Sequence, residues 1–192
     1  EQSVIAAIVL CIVGAVLTLL VSRSKTAAGW VAFIFTLATA VMIISTVAHV
    51  LLSGPGHPQE FPLLPQIGLV LRVYVDGLTA VFLLLAALIS VPASLYSIVY
   101  MRNYEGYSVA RYYPYFLLFL AAMYGLVSTT DMMWFFFIFW QMMTLPGYAL
   151  IRFEHRKRAN IRAANKYLLM MQIACAATML GAWMIAGGSH TT

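Results

Sequence analysis

Residues 137 to 150 read FIFWQMMTLPGYAL, an apolar run that holds Gln141, Thr144, Pro146 and Tyr148. On a helix turning about 100° per residue, Gln141, Thr144 or Leu145, and Tyr148 fall on one face. An amide in hydrocarbon raises the free energy unless it finds a hydrogen-bonding partner. Pro146 removes one helical hydrogen bond and frees the carbonyl of Met142, next to Gln141. Such a polar, bent point serves one of two ends. It bonds to a neighbouring helix and only packs, or it takes part in moving a proton or a cation.

A second group begins at IRAANKYLLMMQ, residues 161 to 172, where Lys166 follows Arg162 and Gln172 stands deeper in the apolar stretch. Lys166 either snorkels to the nearby surface or points inward, where lost solvation makes it a proton-handling group. Leu169 and Met170 lie between Lys166 and Gln172, so this helix alone offers no continuous polar path. Gln141, Lys166, Tyr148 and Gln172 are the candidate residues of an ion or proton pathway.

Other chemistry has little footing. Cys11 and Cys175 fall inside apolar runs without metal-ligand spacing and read as small packing residues. His49, His57, His155 and His190 form no i, i+4 pair, so a metal site is not expected. There is no nucleophile elbow, phosphate loop or dinucleotide fingerprint. Asp76 and Asp131 each precede an apolar run and are expected to cap helices.

The elements that must position these residues are membrane helices. Hydrophobic residues make up 63% of the 192 and charged residues only 9%, which excludes an ordinary soluble domain. A span needs about 20 mostly apolar residues, and six stretches supply them: 4–22, 28–52, 77–101, 112–130, 132–152 and 164–187. Residues 1–192 are therefore expected to form one all-α domain, a polytopic transmembrane helix bundle. Glu1 and Gln2 do not resemble a positive leader, so the first stretch reads as a true span. Ten of the eleven basic residues lie in the first, third and fifth loops or border them, and only Arg72 lies elsewhere. The net charge of +5 thus reflects topology rather than nucleic-acid binding: loops one, three and five cytoplasmic, both termini outside. Loop two, 53–76, carries Pro55, Pro58, Pro62 and Pro65, then alternates through IGLVLRVYVDG. It reads either as an extended or hairpin segment on the outer surface or as a linker.

The stretches VDGLTAVFLLLAALISVPASLYSIVYM (75–101) and TTDMMWFFFIFWQMMTLPGYALI (129–151), followed by a basic loop and ANKYLLMMQ, carry a family likeness. The chain resembles the antiporter-like subunits of respiratory complex I. It resembles still more their relatives in Mrp-type cation/proton antiporters and in hydrogenase-4 or formate hydrogenlyase component B. The likeness fits the N-terminal six-helix portion of such a subunit.

What the resemblance implies can be placed residue by residue. The family's fifth span carries a W-E-x-M-x-L-x-S-Y pattern, whose buried glutamate pairs with a lysine on a seventh span. Here Trp140, Met143, Leu145 and Tyr148 match, Gly147 stands for the serine, and Gln141 stands for the glutamate. An amide keeps the hydrogen bonding and cannot ionise, so it cannot switch a lysine's charge state. The seventh-span lysine is not among these residues.

The implied function is a membrane subunit of a multisubunit complex that moves H+ or Na+, in the plasma membrane, coupled to a redox or antiporter assembly. The alternative is a non-conducting scaffold subunit. Implied partners are further membrane subunits, including chains supplying the remaining antiporter-like helices, lipid, and a peripheral redox arm. No residue here would bind a redox centre, and no cofactor is expected; any enzyme role is that of a membrane subunit of an oxidoreductase.

Overall fold

A computed structural model describes residues 2–55, 57–64, 69–104, 106–132 and 134–188. His190, Pro65 and the Ile67-Gly68 start of the expected strand lie outside the described residues. The helices are α1 (Gln2–Leu20), α2 (Lys25–Ser53), α3 (Gly77–Tyr100), α4 (Tyr113–Ser128), α5 (Trp140–Ile151) and α6 (Arg158–Gly188). A two-stranded sheet, β1 (Gln59–Leu64) and β2 (Leu69–Val73), lies between α2 and α3. A π-wound segment, Trp134–Phe139, leads straight into α5.

Among the described residues, five helical segments are long and apolar enough to cross a bilayer: Ser3–Leu20, Lys25–Ser53, Gly77–Asn103, Trp134–Ile151 and Arg158–Ile185. The stretch expected to be the fourth span becomes the 16-residue α4. At about 1.5 Å per residue α4 is only some 24 Å long, short of a hydrocarbon core of about 30 Å. It stops where Thr129 pairs across to Val73 of the hairpin. The sixth stretch differs in the other direction. Its helix starts at Arg158 rather than at residue 164, which puts Arg158 and Arg162 on helix rather than in a loop. Arginine and alanine are good helix formers, and nothing in RANIRAAN interrupts them.

Local chemistry sets the ends. Ser24 caps α2 by accepting from the amide of Ala27, and Asp76 caps α3 by accepting from Thr79 at 2.7 Å. That hydrogen bond holds the Asp76 carboxyl below the ordinary carboxylate range. In β2 and just beyond it, Leu71, Val73 and Val75 are buried while Arg72 is exposed, the alternation read from sequence. The strands pair antiparallel, Gln59 with Val73 and Phe61 with Leu71, with a register shift between Pro62 and Leu64. Arg72 and Glu60 form an exposed ion pair at 2.8 Å. The hairpin reading of loop two therefore holds over the described residues.

The core sits around α4. Helix α1 packs on α2 and α4, α2 on α3, α4 on α5, and α5 on α6. Buried α4 residues include Tyr113, Leu117, Leu120, Ala121, Tyr124 and Gly125, a helical spacing that faces neighbours on several sides. The two ends of the bundle differ. At one, the hairpin meets the start of the fifth helical segment, where the Trp134 indole donates to the carbonyl of Val70 at 2.8 Å. At the other, the three basic connections touch: Lys25 donates to the carbonyl of Tyr104, and the Arg156 guanidinium lies over the Tyr107 ring. Cys11 and Cys175 are both buried.

Gly125 permits the closest helix approach. A methyl group there would overlap the ring of Phe139, the last residue of the π-wound segment. Gly125→Ala should lower stability by about 1–3 kcal/mol, as overpacking does. Thermal unfolding in detergent should show the loss, and Phe139→Leu in the same chain should recover part of it.

Candidate functional site

Helices α5 and α6 run antiparallel, and three of the four candidate residues, Gln141, Tyr148 and Gln172, lie along their seam. Gln141 and Gln172 form a reciprocal amide pair. Gln141 Nε2 donates to Gln172 Oε1 at 3.2 Å, and Gln172 Nε2 donates back to Gln141 Oε1 at 2.8 Å. Seven residues along α5, Tyr148 Oη donates to Asn165 Oδ1 at 3.3 Å, seven residues back along α6. Matched spacings of seven return to the same face on both helices, about 20° from alignment. Beside the amide rung the Trp140 indole donates to the carbonyl of Met171 at 3.3 Å. Arg152 Nη1 donates to Tyr148 Oη at 2.9 Å and closes the line at the basic end.

A π-wound segment precedes the seam, and a proline lies within the seam. The π-wound segment ends at Phe139, and Pro146 lies inside α5. π turns inside α-helices recur at functional sites because the extra residue re-aims the turns beyond it. Thr144 bonds within its own helix, to the carbonyl of Trp140 at 2.8 Å, and is buried. Leu145 is 55% exposed, which leaves Thr144 as the inward choice of the two. Gly147 is buried against Tyr167: a Cβ there would stand 2.6 Å from the Tyr167 hydroxyl.

Lys166 is not part of this seam. It is exposed and makes no hydrogen bond or ion pair among the described residues. Cys175, buried on the α5 side of α6, is nine residues from Lys166, about 180° around the helix. Gln172, six residues on, is about 120° away from Lys166. The fold thus brings Gln141, Gln172 and Tyr148 together and turns Lys166 about 120° away from Gln172. Asn165, Arg152 and Tyr167 belong to the site and were missed from sequence; a spacing of seven from Gln172 finds Asn165, a spacing of four from Tyr148 finds Arg152, and no spacing marks Tyr167.

The groups that meet at the seam are amides, a hydroxyl and an indole. They can hold helices in register and relay hydrogen bonds. No charged side chain takes part until Arg152 at its end. Among the described residues no cluster of three or more His, Cys, Asp or Glu side chains is placed to hold a metal ion.

Comparison with known proteins gives a consistent family picture. The family model described as NADH-Ubiquinone oxidoreductase (complex I), chain 5 N-terminus, matches residues 64–113, which include α3 and the turn into α4. The A1 subunit of a Na(+)/H(+) antiporter from Staphylococcus haemolyticus is 33% identical over 125 residues, 65% of this chain and 14% of its own length. The A-type subunit of a Na(+)/H(+) antiporter from Alkalihalophilus pseudofirmus is 28% identical over 162 residues, 83% of this chain and 19% of its own. A chain in the structure of an archaeal membrane-bound sulfane sulfur reductase, a respiratory membrane complex, shares the fold with a TM-score of 0.79. It is 21% identical, and the match covers 97% of this chain and 37% of that one. Together these matches support an antiporter-like member of the complex I family. It spans less than a fifth of the length of the curated relatives named here.

If the seam is an interlock, removing one amide should strand the other. Gln141→Leu and Gln172→Leu should each destabilise the α5–α6 contact, and the double variant should recover a coupling of about 0.5–2 kcal/mol, the range for polar pairs between membrane helices. A double-mutant cycle on unfolding in mixed micelles measures it. Gly147→Ser should also destabilise, with partial recovery on Tyr167→Phe, which removes the obstructing hydroxyl.

Proposed function

We propose that this chain is a multi-pass membrane subunit, or part of one, in a multisubunit ion-translocating complex of the plasma membrane. Supporting this are the family matches, the helices able to span a bilayer, and relatives whose names are those of Na(+)/H(+) antiporter subunits. The crossing number we favour is six, with α4 using residues on either side to reach both faces. The ion is H+ or Na+, and the basic end of the bundle faces the cytoplasm, as the positive-inside rule directs. Further membrane chains, lipid and, in a redox assembly, a peripheral arm are its partners.

The observation that carries the reading of the site is the reciprocal pair of Gln141 with Gln172. It occupies the place where the resemblance implies an ionisable glutamate. The seam itself is then a neutral hydrogen-bonded brace. Lys166, on the outward side of α6 beside exposed Leu169, Met170 and Ile173, is the cation available to an adjoining helix. The same pair favours a second reading, a subunit that seals and scaffolds without conducting.

Two substitutions in the assembled complex separate the readings. Lys166→Met should lower ion-coupled activity while the complex still assembles; loss of assembly with no intrinsic transport defect supports the scaffold. Gln141→Glu should raise ion-coupled activity or make it newly dependent on pH. Unchanged transport in both variants, measured as dye-reported ΔpH or 22Na+ flux in proteoliposomes, would overturn the conducting reading.

A further inference from the structure

At the basic end of the bundle, where α4 begins and α5 stops, a cleft of about 360 Å³ opens to the surface. Arg111, from the turn ahead of α4, and Arg152, at the end of α5, line it together with Tyr115, Tyr148 and His155. Neither arginine has a counter-charge among the described residues, whose ion pairs are Arg72 with Glu60 and Lys157 with Glu154, both elsewhere. Lys157 and Glu154 also satisfy each other, the contact holding Glu154 below and Lys157 above their ordinary ranges.

Arg152 is held in place rather than free in solvent. Its Nη1 donates to Tyr148 Oη, and its guanidinium carbon lies 5.8 Å from the Tyr148 ring centre. Tyr115 stands in the first turn of α4, where the helix dipole adds partial positive charge. Two guanidiniums, a histidine ring and two phenols around one cleft suit an anion with several acceptor oxygens. Guanidinium forks match phosphate geometry in particular.

The depth of the cleft identifies the source of that phosphate. It borders a cluster of aromatics in edge-to-face and tilted contact, Tyr104, Tyr107, Tyr112 and Phe153, of the kind that marks the level of lipid headgroups. Leu145, seven residues before Arg152 and thus on its face of α5, is 55% exposed. A headgroup held at Arg152 would therefore lay an acyl chain on an apolar surface directly below. A soluble phosphate would leave that surface unused.

We propose that this cleft seats the headgroup of an anionic phospholipid, with the phosphodiester oxygens accepting hydrogen bonds from Arg111 and Arg152. Because Arg152 also donates to Tyr148, the bound lipid fixes the basic end of the α5–α6 seam. The proposal stands whether or not the chain moves ions.

The test is lipid retention. The chain is reconstituted in phosphatidylcholine nanodiscs with and without phosphatidylglycerol, extracted gently, and the lipid retained per chain is read by native mass spectrometry. Phosphatidylglycerol should be retained over phosphatidylcholine, and Arg111→Gln with Arg152→Gln should lower its retention by about 25-fold, near fivefold per arginine. Arg156→Gln removes the same charge from outside the cleft, over the Tyr107 ring, and should leave retention unchanged. Should the double variant lose helix content, Arg111→Gln alone gives the fivefold reading, since Arg111 makes no side-chain hydrogen bond among the described residues. Unchanged retention in the arginine variants, or an equal fall with Arg156→Gln, overturns a built site in favour of diffuse attraction. Displacement of the lipid by millimolar inorganic phosphate that stays bound overturns the lipid as occupant.

Discussion

In hydrocarbon two apolar helices gain little by meeting, because lipid tails are as apolar as leucine. What fixes one helix against another there is close packing and the hydrogen bonds that would otherwise go unmade. Helix α6 illustrates the constraint, since very little of it is buried and its packing is chiefly against α5. Its attachment therefore rests on the polar rungs, Gln141 with Gln172, Trp140 with the Met171 carbonyl, and Tyr148 with Asn165. Each rung is individually modest. Together they set both register and rotation, because sliding α6 by one residue would break all three at once.

That register depends in turn on how α5 is aimed. Phe139 closes the π-wound segment by packing onto Gly125, and Trp134 at its start is tied to the hairpin through Val70. The hairpin and the last turn of α4 thus fix both ends of the irregular turn that presents Gln141 to α6. The hairpin is more than a connection, since its buried Leu71, Val73 and Val75 belong to the same core as Leu120 and Tyr124.

Apolar run length made the helices legible, because the bilayer leaves backbone polar groups few other ways to be satisfied. Period-two alternation showed the β2 strand, and Asp76 announced the start of α3 by ordinary capping chemistry. The face shared by Gln141 and Tyr148 was also legible, since both lie within the regular α5. Three features escaped. The π winding has no composition signature, as WFFFIF suits an α-helix equally well. The length of α4 was set by a tertiary contact, the Thr129 to Val73 bridge, that no local pattern records. Lys166 was grouped with Gln172 by nearness in sequence, whereas the rotation of α6 was decided by Ala164 and Cys175 turning toward α5.

The geometry of the amide pair also says what a carboxyl at position 141 would face. One oxygen would take the place of Gln141 Oε1 and accept from Gln172 Nε2, as now. The other would replace Gln141 Nε2 and meet Gln172 Oε1, acceptor against acceptor, at a separation near 3.2 Å. Two acceptors in hydrocarbon at that distance repel, and turning the Gln172 amide over only moves the clash to the other oxygen, so the arrangement is satisfied only when the carboxyl carries a proton. Glutamine at 141 and glutamine at 172 are therefore matched to each other. A proton-exchanging group at the first position demands a different partner, or a moving one, at the second.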